Sequence, residues 1–239
     1  MLSPLYLQQL ATKYQTPDIN ICREYGQHVL LSYLYQKSEA KDLYFKGGTA
    51  LRLLYRSPRF SEDLDFDTVV HTSGIWEDVL QDTLVDVSRE GIETDIKESK
   101  TTSGGYLCIV ILRNIGQPIT IHLEISFRKD IVLGEIFTVE NDFVSVYPVK
   151  SLPTKNLIEG KFHALFDRQK ARDFYDIYFL LRANLLTPSQ KKQLYKVKQL
   201  LSKTTLSFDR ELSLFLPKSQ VLIIRDFRNT LLREIERNI

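Results

Sequence analysis

Apolar residues recur at helical spacing over residues 18–36, with Ile21, Tyr25, Val29, Leu30 and Tyr33 on one side. Leu43-Tyr44-Phe45 predicts a short strand running into Gly47-Gly48, and Thr49 to Tyr55 predicts a helix that Pro58 ends. Residues 63–67 alternate polar and apolar, as a half-buried strand does. A helix near 75–89 follows, its buried stripe being Trp76, Val79, Leu80, Leu84 and Val87. Residues 92–97, 106–113, 119–127 and 143–147 are rich in β-branched and aromatic side chains and predict strands. The turn signals Ser103-Gly104-Gly105 and Asn114-Ile115-Gly116 separate some of them. After Pro148 the periodicity is helical, over 154–166, 170–183, 188–202 and 219–238, with breaks at Pro188, Pro217 and polar turns.

The pattern changes character near residue 150. It predicts an α/β domain over residues 1–150 and a helical C-terminal domain over 151–239, two packed lobes with a cleft between them. At 239 residues, 43% hydrophobic and 26% charged, the chain can bury a proper core and is ordinary for a soluble globular protein. A formal net charge of +2 means that a nucleic-acid partner would need a local basic surface. Cys22 and Cys108 lack metal-ligand spacing and read as reduced thiols. The N-terminus lacks a basic and apolar leader pattern, and no run approaches the roughly 20 apolar residues of a membrane span. The expectation is a cytoplasmic protein with no membrane partner.

The densest chemistry lies in KGGTALRLLYRSPRFSEDLDFD, residues 46–67. Gly47 and Gly48 let the backbone approach a ligand, and Thr49 adds a hydroxyl where a helix begins, which together make a phosphate cradle. The plain alternative is a strand-to-helix turn with a threonine cap. On a strand, Asp63, Asp65 and Asp67 share one face while Leu64 and Phe66 take the other. Carboxylates so close repel one another unless a divalent cation holds them, and such hard oxygen ligands suit Mg²⁺. A solvated acidic edge strand is the alternative. Thr120 to Phe127 also alternates, with Ile121, Leu123, Ile125 and Phe127 facing the core. His122, Glu124 and Ser126 then share the polar face, and Glu124 is the candidate acid for activating an attacking hydroxyl, a solvent-facing glutamate on an amphipathic strand being the alternative.

The combination resembles the nucleotidyltransferase superfamily, whose signature is Gly-Gly-Thr/Ser followed by Asp-x-Asp. More narrowly, GGTALRLLY with RFSEDLDF is similar to the AbiEii/AbiGii toxin family, in which Arg-x-Ser-x-Asp-x-Asp is characteristic; here it is Arg59, Ser61, Asp63 and Asp65. The resemblance makes Asp63 and Asp65 the metal ligands, with Asp67 a provisional third. It extends to KNLIEGKFHALFDRQKARDFYDIYFLL, residues 155–181, where the family's lysine matches Lys161 and its Arg-Asp-x-x-Asp block matches Arg172, Asp173 and Asp176. Lys161 suits a triphosphate as a point charge, Arg168 or Arg172 adds planar donors, and Asp176 can orient one of these cations. Surface ion pairs are the alternative.

The family implies a mixed nucleotidyltransferase sheet flanked by helices, then a helical lobe. It also implies Mg²⁺-dependent transfer of a nucleotide from an NTP to an acceptor, with tRNA and a separately encoded antitoxin as expected partners. Catalysis would then fall to Asp63, Asp65, Glu124, Lys161 and Asp176, and nucleotide binding to Gly47, Gly48, Thr49, Lys161 and Arg172. Lys155, Lys170, Lys191, Lys192, Lys196 and Lys198 make the helical half basic enough for RNA contacts, or form a solvated face. Transfer to a protein or small molecule, phosphoryl transfer, and a non-catalytic nucleotide-binding module compete with this reading.

Overall fold

The computed structural model describes residues 1–130 and 133–239. They form two compact units, one of Met1–Arg56 with Phe60–Pro153 and one of Ser57–Arg59 with Thr154–Ile239.

The first unit runs α1 (Pro4–Tyr14), α2 (Asp18–Leu34), β1 (Leu43–Lys46), α3 (Gly47–Tyr55), β2 (Leu64–Thr68), α4 (Ser73–Arg89), β3 (Glu93–Thr102), β4 (Gly105–Arg113), β5 (Ile119–Phe127), β6 (Glu135–Val139) and β7 (Tyr147–Ser151). The strands make one seven-stranded sheet in the order β3-β4-β5-β2-β1-β7-β6. It is mixed: β2 with β5 and β1 with β7 are parallel, and the remaining neighbours are antiparallel.

Alternation decides which face is buried. Phe45, Leu64, Phe66, Ile121, Leu123 and Ile125 are each at most 2% exposed. Helix α2 lies on this side, where Gly26 leaves room for Ile119 and Leu112; a Cβ there would stand 2.8 Å and 2.9 Å from their Cδ1 atoms. Buried His28 of the same helix shares a 2.8 Å hydrogen bond between Nδ1 and the Tyr147 hydroxyl, its ring stacked 5.2 Å from that of Phe143. Buried Glu24 receives the Arg52 guanidinium at 2.7 Å and so ties α2 to α3.

The second unit holds α5 (Thr154–Arg168), α6 (Ala171–Arg182), α7 (Pro188–Lys191), α8 (Leu194–Lys203), α9 (Phe208–Leu212), α10 (Val221–Arg225) and α11 (Phe227–Glu236). Its core is aromatic: Phe174, Tyr175, Phe208 and Phe227 are buried, with the Phe208 and Phe227 rings 5.0 Å apart. Among the described residues no helix is long and apolar enough to cross a membrane.

The structure corrects several expectations. Of residues 143–147 only Tyr147 is in a strand, because the Asn141 side chain accepts hydrogen bonds from the Phe143 and Val144 N–H groups, both at 2.8 Å. Such a side-chain-to-backbone turn competes with a ladder, and the strand forms later, as β7. Helix α3 begins at Gly47 rather than Thr49. The stretch 188–202 is two helices, the first capped by Thr187 and buried Gln190. The stretch 219–238 breaks at Asp226, whose φ of −117° and ψ of 36° leave the helical region. Helices α1 and α9 and strand β6 have no counterpart in the periodicity reading.

Candidate active site

Strand β1 passes directly into α3, and Gly47 makes the corner with φ 81°. That left-handed conformation suits glycine. Space demands glycine as well, because a Cβ there would lie 1.9 Å from Asp65 Oδ2. The Asp65 carboxylate therefore occupies the volume that any other residue at 47 would fill, against the positive end of the α3 dipole. The first-turn N–H groups of a helix have no intrahelical acceptor, which here concerns Gly47, Gly48 and Thr49. The Thr49 side chain is fully buried and its hydroxyl donates to the Asp63 carbonyl at 2.5 Å. It ties the glycine corner to the residue before β2, so only its backbone N–H can meet a ligand. Helix α2 holds the same segment, with Gln27 Nε2 donating to the Ser61 carbonyl at 3.0 Å and Arg23 3.3 Å from Glu62.

Strand register collects the acidic face. Lys46, Asp65 and Glu124 stand opposite one another across β1, β2 and β5, and Tyr44, Asp67 and Ser126 form the next row. Glu124 is exposed, Asp63 and Asp65 are half-buried, and Asp63 Oδ1 lies 3.9 Å from His122 Nδ1. Asp67 behaves differently. It is buried, and its Oδ1 accepts from Lys46 Nζ at 2.5 Å and from Arg128 Nε at 3.0 Å. Asp67, the provisional third ligand, is thus set apart from the half-buried Asp63 and Asp65 by its burial and its two cations.

Among the described residues no group of three or more His, Cys, Asp or Glu side chains stands together as a metal cage. Mg²⁺ does not require one, since it keeps waters and is commonly bound through one or two carboxylates plus substrate phosphates. Asp63 and Asp65, two residues apart, with Glu124 in register beside Asp65, supply hard oxygen donors that fit a cation arriving with its nucleotide.

In the second unit Lys161 and Asp176 come together, with Lys161 Nζ 2.8 Å from Asp176 Oδ2. Arg59 completes the group in a fork, its Nε 2.7 Å from Oδ1 and its Nη2 3.0 Å from Oδ2. All three are buried, so one carboxylate serves two cations in a medium where charge is costly. Burial alone would raise the Asp176 carboxyl, but the charges and hydrogen bonds of Arg59 and Lys161 outweigh it and hold it at about 2. Asp173 does other work: it accepts the Lys170 N–H at 3.1 Å and Arg168 at 2.8 Å, capping α6. Arg172 Nε is buried and makes no hydrogen bond among the described residues.

The sequence motifs assign no role to Lys46 or Arg128 and include Arg59 only as part of the Arg-x-Ser-x-Asp-x-Asp pattern. Parity along β1 puts Lys46 on the acidic face, a signal that was available. The pairing of Arg59 with Asp176, 117 residues away, left none.

A mixed sheet carrying a Gly-Gly-Thr corner and acidic residues on adjoining parallel strands is, with its family match, that of a nucleotidyltransferase. The chain belongs to the family of nucleotidyl transferase AbiEii toxins of type IV toxin–antitoxin systems, which it matches over residues 28–237. Membership implies a nucleotide substrate and a cognate antitoxin. Two solved structures share the fold. JHP933 from Helicobacter pylori is 22% identical with a TM-score of 0.62, over 93% of this chain and 95% of that one. MenT4, a nucleotidyltransferase toxin from Mycobacterium tuberculosis H37Rv, is 16% identical with a TM-score of 0.66, over 100% and 98%. No curated protein matches the chain.

Proposed function

We propose that this enzyme uses Mg²⁺ to transfer a nucleotide from an NTP to an RNA acceptor, tRNA foremost, in the cytoplasm. The observation that carries the reading is the in-register pairing of Asp65 with Glu124, with the Asp65 carboxylate packed against the Gly47 corner. Asp63 and Asp65 would hold the ion, which when bound supplies charge neutralisation on the triphosphate. The N–H groups of Gly47, Gly48 and Thr49 receive phosphate oxygens at the helix start. Glu124 takes the proton of the acceptor hydroxyl as its oxygen bonds to the α-phosphorus. The bond from that phosphorus to the β-phosphate oxygen breaks, and pyrophosphate leaves. In the second unit Lys161 supplies a point charge for polyphosphate and Arg172 planar donors, while Asp176 and Arg59 position the lysine.

The test is incubation with Mg²⁺, total RNA and each NTP labelled at the α- or γ-phosphate. Label from the α-position should enter a tRNA band, and Asp65→Asn should abolish it while the fold persists. Label in protein would refute the RNA acceptor, γ-label in product would refute nucleotidyl transfer, and full activity of Asp65→Asn would refute the site.

A further inference from the structure

Asp67 lies on the catalytic face, yet two cations already occupy it. Lys46 Nζ and Arg128 Nε share its Oδ1, and Lys46 also donates to Ser126 Oγ at 3.3 Å. Lys46 stands in register with Asp65 as well, so Arg128 is the cation that faces outward. It is accessible: the Arg128 side chain is 48% exposed, against 11% for Asp67. Its two terminal nitrogens make no hydrogen bond among the described residues, Nε being the nitrogen that Asp67 uses.

Arg128 is held more firmly than an exposed arginine needs to be. Its N–H donates to the Thr68 carbonyl at 2.8 Å, and its own carbonyl lies 2.9 Å from His71 Nε2. The His71 ring stacks on Phe127, 5.3 Å away and 9° from parallel. Backbone and side chain are both fixed before any ligand arrives, so less conformational entropy is lost on binding. A guanidinium offering two neighbouring N–H groups in a fixed plane matches phosphate geometry. Lys46 stands in the Asp65–Glu124 row itself, and Asp67 lies two strand positions beyond Asp65, roughly 7 Å at the rise of a β-strand.

We infer that Lys46, Asp67 and Arg128 form a phosphate-binding clamp beside the reacting centre. Arg128 touches the phosphate, and Asp67 is a positioning residue that holds both cations on the face. The inference rests on the proposed role of the Asp65–Glu124 row. The bound phosphate belongs either to the NTP or to the backbone of the acceptor RNA.

Binding without turnover separates these sources, using wild-type protein, each NTP with a methylene bridge in place of the oxygen between its α- and β-phosphorus and with Mg²⁺, and total tRNA. Adding Arg128→Ala should weaken one ligand about tenfold, the scale of one charge-assisted pair. If that ligand is tRNA, the salt dependence of its affinity should also fall by about one counterion. Arg128→Lys should recover part of the loss, since it restores the charge without the fork. Asp67→Asn should weaken the same ligand, and the two substitutions together should cost less than their sum. In otherwise wild-type protein Arg128→Ala should raise KM for that substrate and leave kcat within about twofold, as loss of uniform binding does. Unchanged affinity for both ligands in Arg128→Ala, or strict additivity with Asp67→Asn, would overturn the clamp. Transfer that survives Asp65→Asn would overturn the underlying reading and leave the binding result standing.

Discussion

His28 makes the stability of the first unit depend on pH in a way that can be isolated. Burial, and secondly the charge of Arg52, push its imidazole down to about 3 from an ordinary value of 6.5. The folded state therefore holds it neutral where the unfolded chain begins to bind a proton. The stabilisation is complete above pH 6.5 and is lost progressively as pH falls towards 3. The linkage relation gives about 2 kcal/mol lost between pH 7 and pH 5, and about 5 kcal/mol across the whole window. The chain's single tryptophan, Trp76, is buried in α4 of the same unit and reports its unfolding. Urea titrations followed by Trp76 fluorescence should show the wild-type unfolding free energy falling from pH 7 to pH 5. His28→Gln keeps a polar partner for the Tyr147 hydroxyl and does not titrate. Relative to its own value at pH 7, this variant should lose about 2 kcal/mol less than wild type at pH 5. Equal losses in the two proteins would show that His28 is not held neutral by the fold.

Three further outcomes follow from the site. Gly47→Ala places a methyl where Asp65 Oδ2 stands and forces a left-handed alanine, so transfer should be lost. The stability cost should be only about 1–3 kcal/mol, read by thermal melting. Asp176→Asn leaves Arg59 and Lys161 buried without the charge they share and should cost about 3–5 kcal/mol by circular dichroism. Arg168→Ala, by contrast, removes an arginine that is itself 43% exposed and leaves the buried Asp173 the Lys170 N–H, so it should cost less, about 1–3 kcal/mol. Because the Asp176 carboxyl is held below its ordinary value of 3.8, its share of stability is complete above that pH. The share disappears as pH falls through about 2, and Asp176→Asn should remove that part of the acid transition.

Elements with strong periodicity could be read from the chain, as α2, α4 and β5 illustrate. Their apolar stripes are buried in the structure except for Tyr33 and Phe127, which are half-buried, and the Glu124 face of β5 is polar as alternation demands. The readings that failed involve side chains acting on the backbone, which periodicity does not encode: Asn141 turning the chain before β7, and Thr187 with Gln190 opening α7. In the site, alternation put Asp63, Asp65 and Asp67 on one face but could not distinguish them. That distinction comes from Lys46 on β1 and Arg128 beyond β5, 21 and 61 residues from Asp67 in sequence. Thr49 shows the same limit: its position by a helix start suggested a phosphate ligand, whereas its hydroxyl is spent on the Asp63 carbonyl.

The tripeptide Ser57–Arg59 packs with the helical unit although the chain on both sides of it belongs to the sheet unit. Exchange of parts between homologous toxins therefore cannot follow one junction near residue 153. A chimera that takes residues 154–239 from a relative would bring a new Asp176 and Lys161 to an old Arg59. A faithful exchange needs the tripeptide transplanted as well, at three crossovers in place of one. Insertions between Arg56 and Phe60 should be tolerated poorly for the same reason, since that short stretch must leave one unit, deliver Arg59 and return in register for Asp63 and Asp65.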